Sequence, residues 1–149
     1  MERVVEALKV SAAPFDDVPS RVLYGILRLR SEVFVVEQTC IYLDPDGRDL
    51  EAGARLLWVE DDEGSVVGCA RVLSEADGSS IGRIVADPSR RNRGVGAAMV
   101  RRALELAMRP TRINAQSHLA DWYATFGFFV DGDEFVEDGI PHTPMVKST

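Results

Sequence analysis

The sequence of 149 residues is poor in the residue types that build metal centres and disulfide frameworks. It contains two cysteines, Cys40 and Cys69, and two histidines, His118 and His142. Cysteines this few and this far apart form neither a disulfide framework nor a Cys-x-x-Cys centre, so we interpret both as reduced structural residues. The acidic segment Asp44–Asp49 lacks the glycine and glutamate positions of a calcium loop and is predicted to be a plain turn. We therefore expect no metal ion in the function.

Long hydrophobic runs are also missing. No run of about 18 apolar residues occurs, and the apolar N-terminal stretch Val4–Val10 is interrupted by Glu6 and Lys9. This pattern argues against both a signal peptide and a membrane span. No repeat, linker or low-complexity segment divides the chain. We therefore expect residues 1–149 to form one soluble, cytoplasmic domain that buries roughly 70% of the surface of its unfolded chain.

Basic residues are few and unevenly placed. The chain has 17 Lys and Arg against 24 Asp and Glu, a formal net charge of −7. Nucleic acids and anionic membranes need a broad basic surface, so neither is expected as a partner. The segment Ser80–Arg112 is the exception, with eight arginines and two acidic residues. This distribution favours one local site for a small polyanion, with the acidic remainder attracting a cationic second substrate.

The segment Arg91–Gly96 lies between a strand-like run, Ile81–Ala86, and a helix-like run, Ala97–Arg109. Its glycines, Gly94 and Gly96, allow a turn with exposed N–H groups, and the following helix adds its positive dipole end. The spacing alone does not distinguish phosphate binding from a capped turn, because the P-loop lysine and the third glycine of a dinucleotide fingerprint are absent. Together with the surrounding arginines, the turn predicts a site for a phosphate-containing ligand.

Hydrophobic periodicity divides the chain into helices and strands. Apolar residues recur every three to four positions from Pro19 or Ser20 to Val35, which predicts a helix. Arg30 is the polar exception on its apolar face; we expect its stem to pack on the core and its head to reach solvent, with Glu37 as an alternative partner. The order of elements predicts a mixed sheet with helices on both faces. The other predicted elements are strands Arg55–Glu60, Ser65–Ser74, Ile81–Ala86, Arg112–Ser117, Phe128–Val136 and Thr143–Lys147, and helices Ala97–Arg109 and Leu119–Phe126.

A series of segments in this chain matches the pattern of a known family. In chain order they are Val33–Gln38, Tyr42–Asp49, the turn Arg91-x-x-Gly94-x-Gly96, Gln116–Leu119, Tyr123 four residues before Gly127-Phe128, and Glu137–His142. With these segments the chain resembles the GNAT superfamily of acyl-CoA-dependent N-acetyltransferases, and its ElaA-like branch in particular. The resemblance covers nearly the whole chain. It implies an α/β (α+β) fold with a mixed, mostly antiparallel central sheet, helices on both faces and a splayed strand pair for acyl-CoA.

The resemblance also implies acetyl-CoA as co-substrate and a site built largely from main-chain groups. In this family the pantetheine arm adds to the strand before the glycine turn like a further β-strand. The diphosphate is expected on N–H groups of the turn and helix start, with Arg91 and Arg93 as cationic contacts. Gln116 stands where many relatives outside the branch carry a cofactor-contacting asparagine. The residues expected to contact the cofactor are Ile84, Val85, Ala86, Arg91, Arg93, Gly94, Val95, Gly96, Ala97, Ala98 and Gln116.

Acetyl transfer to an amine requires two proton movements. The amine must lose a proton before it attacks, and the departing thiolate should gain one. Tyr123 occupies the position at which family members place the general acid, although its spacing from neighbouring apolar residues would equally suit a core helix. A general base would act directly or through water, and a carboxylate would also attract a cationic amine. The candidates for this base, with the first ranked highest, are Glu37, His118 and His142.

Two other functions stay open at this point. Arg30, Phe34, Val35 and Glu37 are weakly similar to the start of acyl-homoserine-lactone synthases, which share the fold but have longer chains. The domain could also bind acyl-CoA without catalysis, as a sensor or interaction module. For the leading function, the acceptor is a primary amine of a small molecule or an exposed amino group, and composition does not choose between them. A homodimer is a reasonable expectation.

Overall fold

The described part of the chain forms an eight-stranded mixed sheet. The computed structural model describes residues 8–91 and 93–149, so Val4–Ala7 of the N-terminal stretch and Asn92 of the glycine turn lie outside the described residues. The strands are β1 (Ser11–Ala13), β2 (Arg55–Glu60), β3 (Val66–Ser74), β4 (Ser79–Ala86), β5 (Thr111–Gln116), β6 (Phe129–Val130), β7 (Phe135–Glu137) and β8 (Ile140–Lys147). The helices are α1 (Ser20–Arg30), α2 (Val95–Leu106) and α3 (Ala120–Ala124), with a π-helical stretch at Ser31–Glu37 and 3-10 turns at Phe15–Asp17, Arg48–Leu50, Pro88–Arg90 and Ser117–Leu119. The strand order is β1-β2-β3-β4-β5-β8-β6, with β7 also pairing β8.

Helices cover both faces of the sheet because side chains of a strand alternate in direction. On β2, Leu56 and Trp58 pack with Ile26 of α1, whereas Leu57 and Val59 pack on the opposite face with α2. Apolar residues recur every three to four positions in both helices, so each buries one stripe against the sheet. Within the described ranges, none of the helices has the length and hydropathy needed to cross a bilayer.

The first predicted helix changes character at Arg30. The α-helix ends there and continues as the wider π-helical stretch Ser31–Glu37. Periodicity predicted a single helix to Val35 because the wider turn still keeps Val33 buried. The residues at the end of the π-helical stretch therefore lie in different positions from those they would have in a regular α-helix. Glu37 and Gln38 are among them, and both lie at the candidate site described below.

The predicted strand Phe128–Val136 was wrong as one element. The structure has two short strands, β6 and β7, with Asp131–Glu134 between them. Acidic residues and a glycine favour a turn there, and the N–H of Asp131 bonds to Pro144. The three-residue strand β1 was not predicted, because its segment Ser11–Ala13 has little β-branched or aromatic character. The strand Arg55–Glu60 has its predicted bounds, and the remaining predicted strands and helices are present with shifted ends.

One strand pair opens a groove in the sheet. Among the strands of residues 8–91 and 93–149, β4 and β5 are the only parallel neighbours, and they pair just at their starts, Ser79 with Thr111 and Ser80 with Arg112. Further along, β4 still pairs β3 and β5 still pairs β8, but β4 and β5 do not pair with each other. The two strands therefore splay apart, as the family resemblance implied. We call the space between their C-terminal halves the splay groove.

Candidate active site

The backbone of β4 presents unpaired hydrogen-bonding groups to the splay groove. Asp87 donates its N–H to the carbonyl of Val67 on β3, at 2.8 Å. Backbone groups alternate in direction along a strand, so those of Ile84 and Ala86 face the other edge, where β5 has diverged. Val85, two residues before Asp87, directs its backbone groups to β3, and its side chain is buried. Of the three β4 residues predicted to hold the cofactor, two therefore face the groove with their main chain.

A β-bulge in β4 produces this orientation. The register pairs Arg71 with Gly82 but Cys69 with Val85, so β4 has one more residue than β3 between these two pairs. Arg83 lies in the bulge with φ +50°, a left-handed conformation that residues other than glycine rarely adopt. The extra residue reverses which β4 residues turn their backbone groups toward the groove.

The glycine turn leads into α2 with free N–H groups. Gly94 precedes the helix with φ +83°, which favours glycine. The first helical hydrogen bond runs from the N–H of Ala98 to the carbonyl of Gly94, at 3.0 Å. The N–H groups of Val95, Gly96 and Ala97 come before this bond and have no acceptor among residues 8–91 and 93–149, so an anion can bind to them. The predicted N–H contact from Ala98 does not fit, because this helical bond already uses that group.

The arginines around the turn are exposed and weakly held. Arg90 Nη2 lies 3.4 Å from Asp61 Oδ2. Arg91 Nη2 lies 2.6 Å from Glu37 Oε1, and the side chains of Arg91 and Glu37 are 43% and 39% exposed. Arg93 is exposed and has no ion pair with a carboxylate of residues 8–91 or 93–149. Exposed ion pairs contribute little free energy, so such a guanidinium can exchange a carboxylate for a phosphate.

The end of the π-helical stretch contacts residues at the ends of both β4 and β5, the two strands that border the splay groove. Glu37 accepts a hydrogen bond from Arg91, which follows β4. Its neighbour Gln38 accepts one at 3.3 Å from Gln116, the last residue of β5. His142 lies opposite Gln116 in the β5–β8 register. The structure therefore brings Glu37, Arg91, Gln116 and His142, four of the predicted site residues, to one end of the sheet.

Tyr123 combines a buried ring with an unbonded hydroxyl. It is 7% exposed, and its ring meets Trp122 and Phe128 edge to face, with centroids 4.9 and 6.2 Å away. Burial alone raises the pKa of Tyr123 to about 12, with no hydrogen bond or charge from the described residues contributing. The ring is thus packed in the hydrophobic core, and the hydroxyl keeps its proton at neutral pH.

The two histidines differ in how they are held. His142 has its Nδ1 2.7 Å from the carbonyl of Ile140 and its ring stacked on Phe135, with centroids 5.6 Å apart. A carbonyl only accepts, so Nδ1 carries the hydrogen and the neutral ring leaves Nε2 as an acceptor. His118 lies in the 3-10 turn after β5 and is exposed. Of the two, His142 is the one with a fixed ring orientation.

Both cysteines are buried and unpaired. The thiol of Cys40 lies 3.2 Å from the carbonyl of Asp138, so it ties the loop after the π-helical stretch to the turn between β7 and β8. Burial raises the pKa of Cys69 to about 12, which leaves this thiol protonated. Neither residue is set up as a nucleophile, in agreement with a structural role.

Sequence reasoning missed a cluster of charged side chains beside the bulge. Three arginines, from α1, β3 and β4, converge on the aspartates of one loop, residues 44–49, which we call the aspartate loop. The ion pairs are Arg30 Nε to Asp44 Oδ2 at 2.8 Å, Arg30 Nη1 to Asp49 Oδ1 at 2.8 Å, Arg71 Nη2 to Asp46 Oδ2 at 2.7 Å, and Arg83 Nε to Asp44 Oδ1 at 2.8 Å.

The expectation for Arg30 was wrong. Its side chain is 1% exposed, so the head does not reach solvent, and its partners are Asp44 and Asp49, not Glu37. Hydrogen bonds to both carboxylates offset the desolvation of the buried guanidinium. Burial opposes ionisation of Asp49, but the bonds and charges of Arg30 and Arg71 outweigh it and hold the pKa of Asp49 below its usual value. The available signal was the recurrence of aspartates in residues 44–49, which we interpreted as turn composition.

Comparisons with known proteins agree with this geometry. A family model described as an acetyltransferase (GNAT) domain matches residues 32–149. The chain is 44% identical over 136 residues to a UPF0039 protein of Mycobacterium tuberculosis, covering 88% of this chain and 87% of the relative. Among solved structures it is similar to an acyl-CoA N-acyltransferase from Pseudomonas aeruginosa, with a TM-score of 0.88 and 32% identity, and to Escherichia coli ElaA, with 0.87 and 31%. Both alignments cover 95% of this chain and 99% of the other.

Proposed function

Because the chain belongs to the GNAT acetyltransferase family, we propose that it transfers an acetyl group from acetyl-CoA to a primary amine of a small molecule or an exposed amino group. The family uses acyl-CoA as co-substrate. One observation carries the proposal: the unpaired edge of β4 at Ile84 and Ala86 is followed by the free N–H groups of Val95, Gly96 and Ala97.

The residues present suit the two chemical parts of acetyl-CoA. Ile84 and Ala86 bond to amide groups of the pantetheine arm, as an added strand would. The free N–H groups at the start of α2 and the positive end of its dipole hold the diphosphate. Arg91 and Arg93 supply charge-assisted hydrogen bonds to phosphate oxygens. Gln116, the last residue of β5, lies across the splay groove from β4 and is a further candidate contact of the cofactor.

Tyr123 acts as the general acid in this proposal. The amine nitrogen attacks the thioester carbonyl carbon, the C–S bond breaks, and the sulfur takes a proton from the phenol as CoA leaves. With a pKa raised to about 12, Tyr123 holds its proton at neutral pH until the thiolate develops. The aromatic rings of Trp122 and Phe128 pack edge to face against the Tyr123 ring and fix its orientation.

Glu37 remains our first candidate for binding the cationic amine and accepting its proton. In the free protein its carboxylate bonds to Arg91. When Arg91 turns to the diphosphate, this carboxylate becomes available beside the splay groove. His142 on β8, opposite Gln116 of β5, offers Nε2 as an alternative acceptor, and exposed His118 is the third candidate.

A free-thiol assay tests the proposed function. The protein is mixed with acetyl-CoA and a panel of amines that includes polyamines, amino sugars, lysine derivatives and peptides with a free N-terminus. Release of CoA thiol above the hydrolysis rate, dependent on one class of amine, is the expected result. Binding of acetyl-CoA without amine-dependent release for any member would instead identify a non-catalytic acyl-CoA-binding module.

A further inference from the structure

The aspartate loop and the splay groove meet at Arg83. The backbone of this residue lies in the bulge of β4, and its side chain reaches the aspartate loop. Its Nε lies 2.8 Å from Asp44 Oδ1, too bent for a hydrogen bond but close enough for strong charge attraction. Its Nη2 donates to the carbonyl of Asp44 at 3.0 Å, and its guanidinium lies 5.8 Å from the ring centroid of Tyr42.

The body of the protein holds the aspartate loop in place. Arg30 on α1 binds Asp44 and Asp49, and Arg71 on β3 binds Asp46 and Asp49. The side chains of Arg30 and Asp44 are 1% and 2% exposed. A buried ion pair adds little net stability, but any arrangement that separates the two charges is heavily penalised, so it fixes one geometry. Asp44 is therefore a rigid anchor for Arg83.

The bulge decides which backbone groups of β4 reach the splay groove. Before the bulge, the N–H of Ser79 bonds to Pro110 on the β5 side, whereas after it the N–H of Asp87 bonds to β3. These two residues are eight positions apart, so an unbroken alternation would turn both toward the same neighbour. The extra residue in the bulge reverses the alternation, and this reversal brings Ile84 and Ala86 to the groove.

The backbone of Arg83 does not favour this bulge by itself. Its φ of +50° is disfavoured for a residue with a Cβ atom and persists only where the surroundings hold it. A glycine would adopt this conformation without strain, but it would have no side chain to bind Asp44. The contacts of the Arg83 guanidinium therefore offset the strain of its own backbone.

We infer that Arg83 is a positioning residue for acyl transfer: anchored on Asp44, it holds the bulge that aims Ile84 and Ala86 at the pantetheine arm. The inference rests on the proposed function, because it assumes that an acyl-CoA enters the splay groove. It assigns the buried ion cluster a role in the site, although the aspartate loop itself supplies no reacting group.

Amide hydrogen exchange with CoA as the probe tests this role. In the unchanged protein, saturating CoA is expected to slow exchange of the Ile84 and Ala86 amides on the order of ten-fold, together with those of Val95 and Gly96. Arg83→Met removes the guanidinium and keeps an apolar stem. In this variant we expect CoA to protect the α2 amides as before and to leave those of Ile84 and Ala86 nearly unprotected.

A second probe separates positioning from general damage. S-acetylpantetheine lacks the diphosphate, so its binding does not draw on the start of α2 and depends more strongly on β4. Arg83→Met should weaken its binding by on the order of ten-fold. The matched control is Arg48→Met, because Arg48 binds Glu51 and Glu75 at the surface of the same region and should alter neither probe.

The possible outcomes separate the inference from the proposed function. Absence of CoA protection in the unchanged protein would contradict the proposed function itself. Full protection of Ile84 and Ala86 in a folded Arg83→Met variant would overturn the positioning role alone. If the Met variant does not fold, Arg83→Lys retains a charge for Asp44 but loses the fork geometry. It should then show a partial loss of Ile84 and Ala86 protection, and unchanged protection would contradict the role.

Discussion

The arginines bound to the aspartate loop and the arginines of the glycine turn carry the same charge in opposite environments. Side chains of Arg30 and Arg71 are 1% and 6% exposed and each meets two aspartates. Those of Arg90 and Arg91 are 41% and 43% exposed, and each meets one carboxylate from the part of the chain that the structure describes. Buried charges that are each paired with two aspartates favour one geometry, and exposed, weakly held ones can exchange partners. The environment of an arginine, not its presence, therefore indicates where an anionic ligand binds.

Substituting one of the buried arginines should have the largest effect. Arg30→Met leaves Asp44 and Asp49 buried without their main partner, so we expect a loss of about 3–5 kcal/mol of unfolding free energy. Urea denaturation measures it. The exposed control Arg48→Met should lose about 0–1 kcal/mol. Similar losses in both variants would show that burial does not distinguish the two sets of arginines.

Tyr123 is buried like Arg30 and Arg71, but its hydroxyl has no hydrogen-bond partner among the described residues. Tyr123→Phe keeps the ring and removes the proton donor, so we expect kcat to fall roughly 100-fold while CoA affinity stays the same. The matched control is Tyr24→Phe on α1, where the side chain is 73% exposed. Unchanged kcat in Tyr123→Phe would remove this residue from the acid role and leave it as core packing.

The glycine turn, which lies beside the exposed arginines, can be tested by substitutions at Gly94. Asp and Asn have the same shape and tolerate the left-handed conformation better than most residues, so the pair isolates charge. Gly94→Asp should weaken CoA binding about ten-fold more than Gly94→Asn, because a carboxylate repels the diphosphate at the start of α2. Calorimetry measures both dissociation constants. Equal values for the two variants would mean that the diphosphate binds elsewhere.

The smallest expected effect concerns partner exchange by Arg91. Glu37→Gln removes the charge that holds Arg91 in the free protein, so CoA affinity should rise roughly two- to five-fold at low salt. High salt should remove the difference because it screens exposed charges. Glu134→Gln, at an exposed carboxylate between β6 and β7, serves as the control. Weaker CoA binding in Glu37→Gln would contradict the exchange.

Much of the fold was predictable from sequence because hydrophobic period and turn residues act locally. The strand Arg55–Glu60 has its predicted bounds, and the long helix after the glycine turn is present. The π-helical stretch was not predictable, since a wider turn changes hydrogen bonding without changing which face is apolar. The division of Phe128–Val136 into two strands depends on partners far along the chain, which a local pattern does not contain.

The site was predictable only where the local sequence determines backbone conformation and which N–H groups are exposed. Gly94 and the helix after it indicated an anion site because glycine permits the turn and the helix start exposes N–H groups. The aspartate loop was missed because its partners, Arg30, Arg71 and Arg83, come from three separate elements. Neither did any local pattern indicate the bulge at Arg83, since it arises from the register between β3 and β4.

Calorimetric titration with acetyl-CoA is the most direct test of the central claim, that the splay groove and the start of α2 together bind an acyl-CoA. We expect saturable heat and an affinity that falls as salt rises, because Arg91 and Arg93 are proposed to contact the diphosphate. S-acetylpantetheine should bind more weakly and with less dependence on salt. No heat and no shift in melting temperature at millimolar acetyl-CoA would contradict the account.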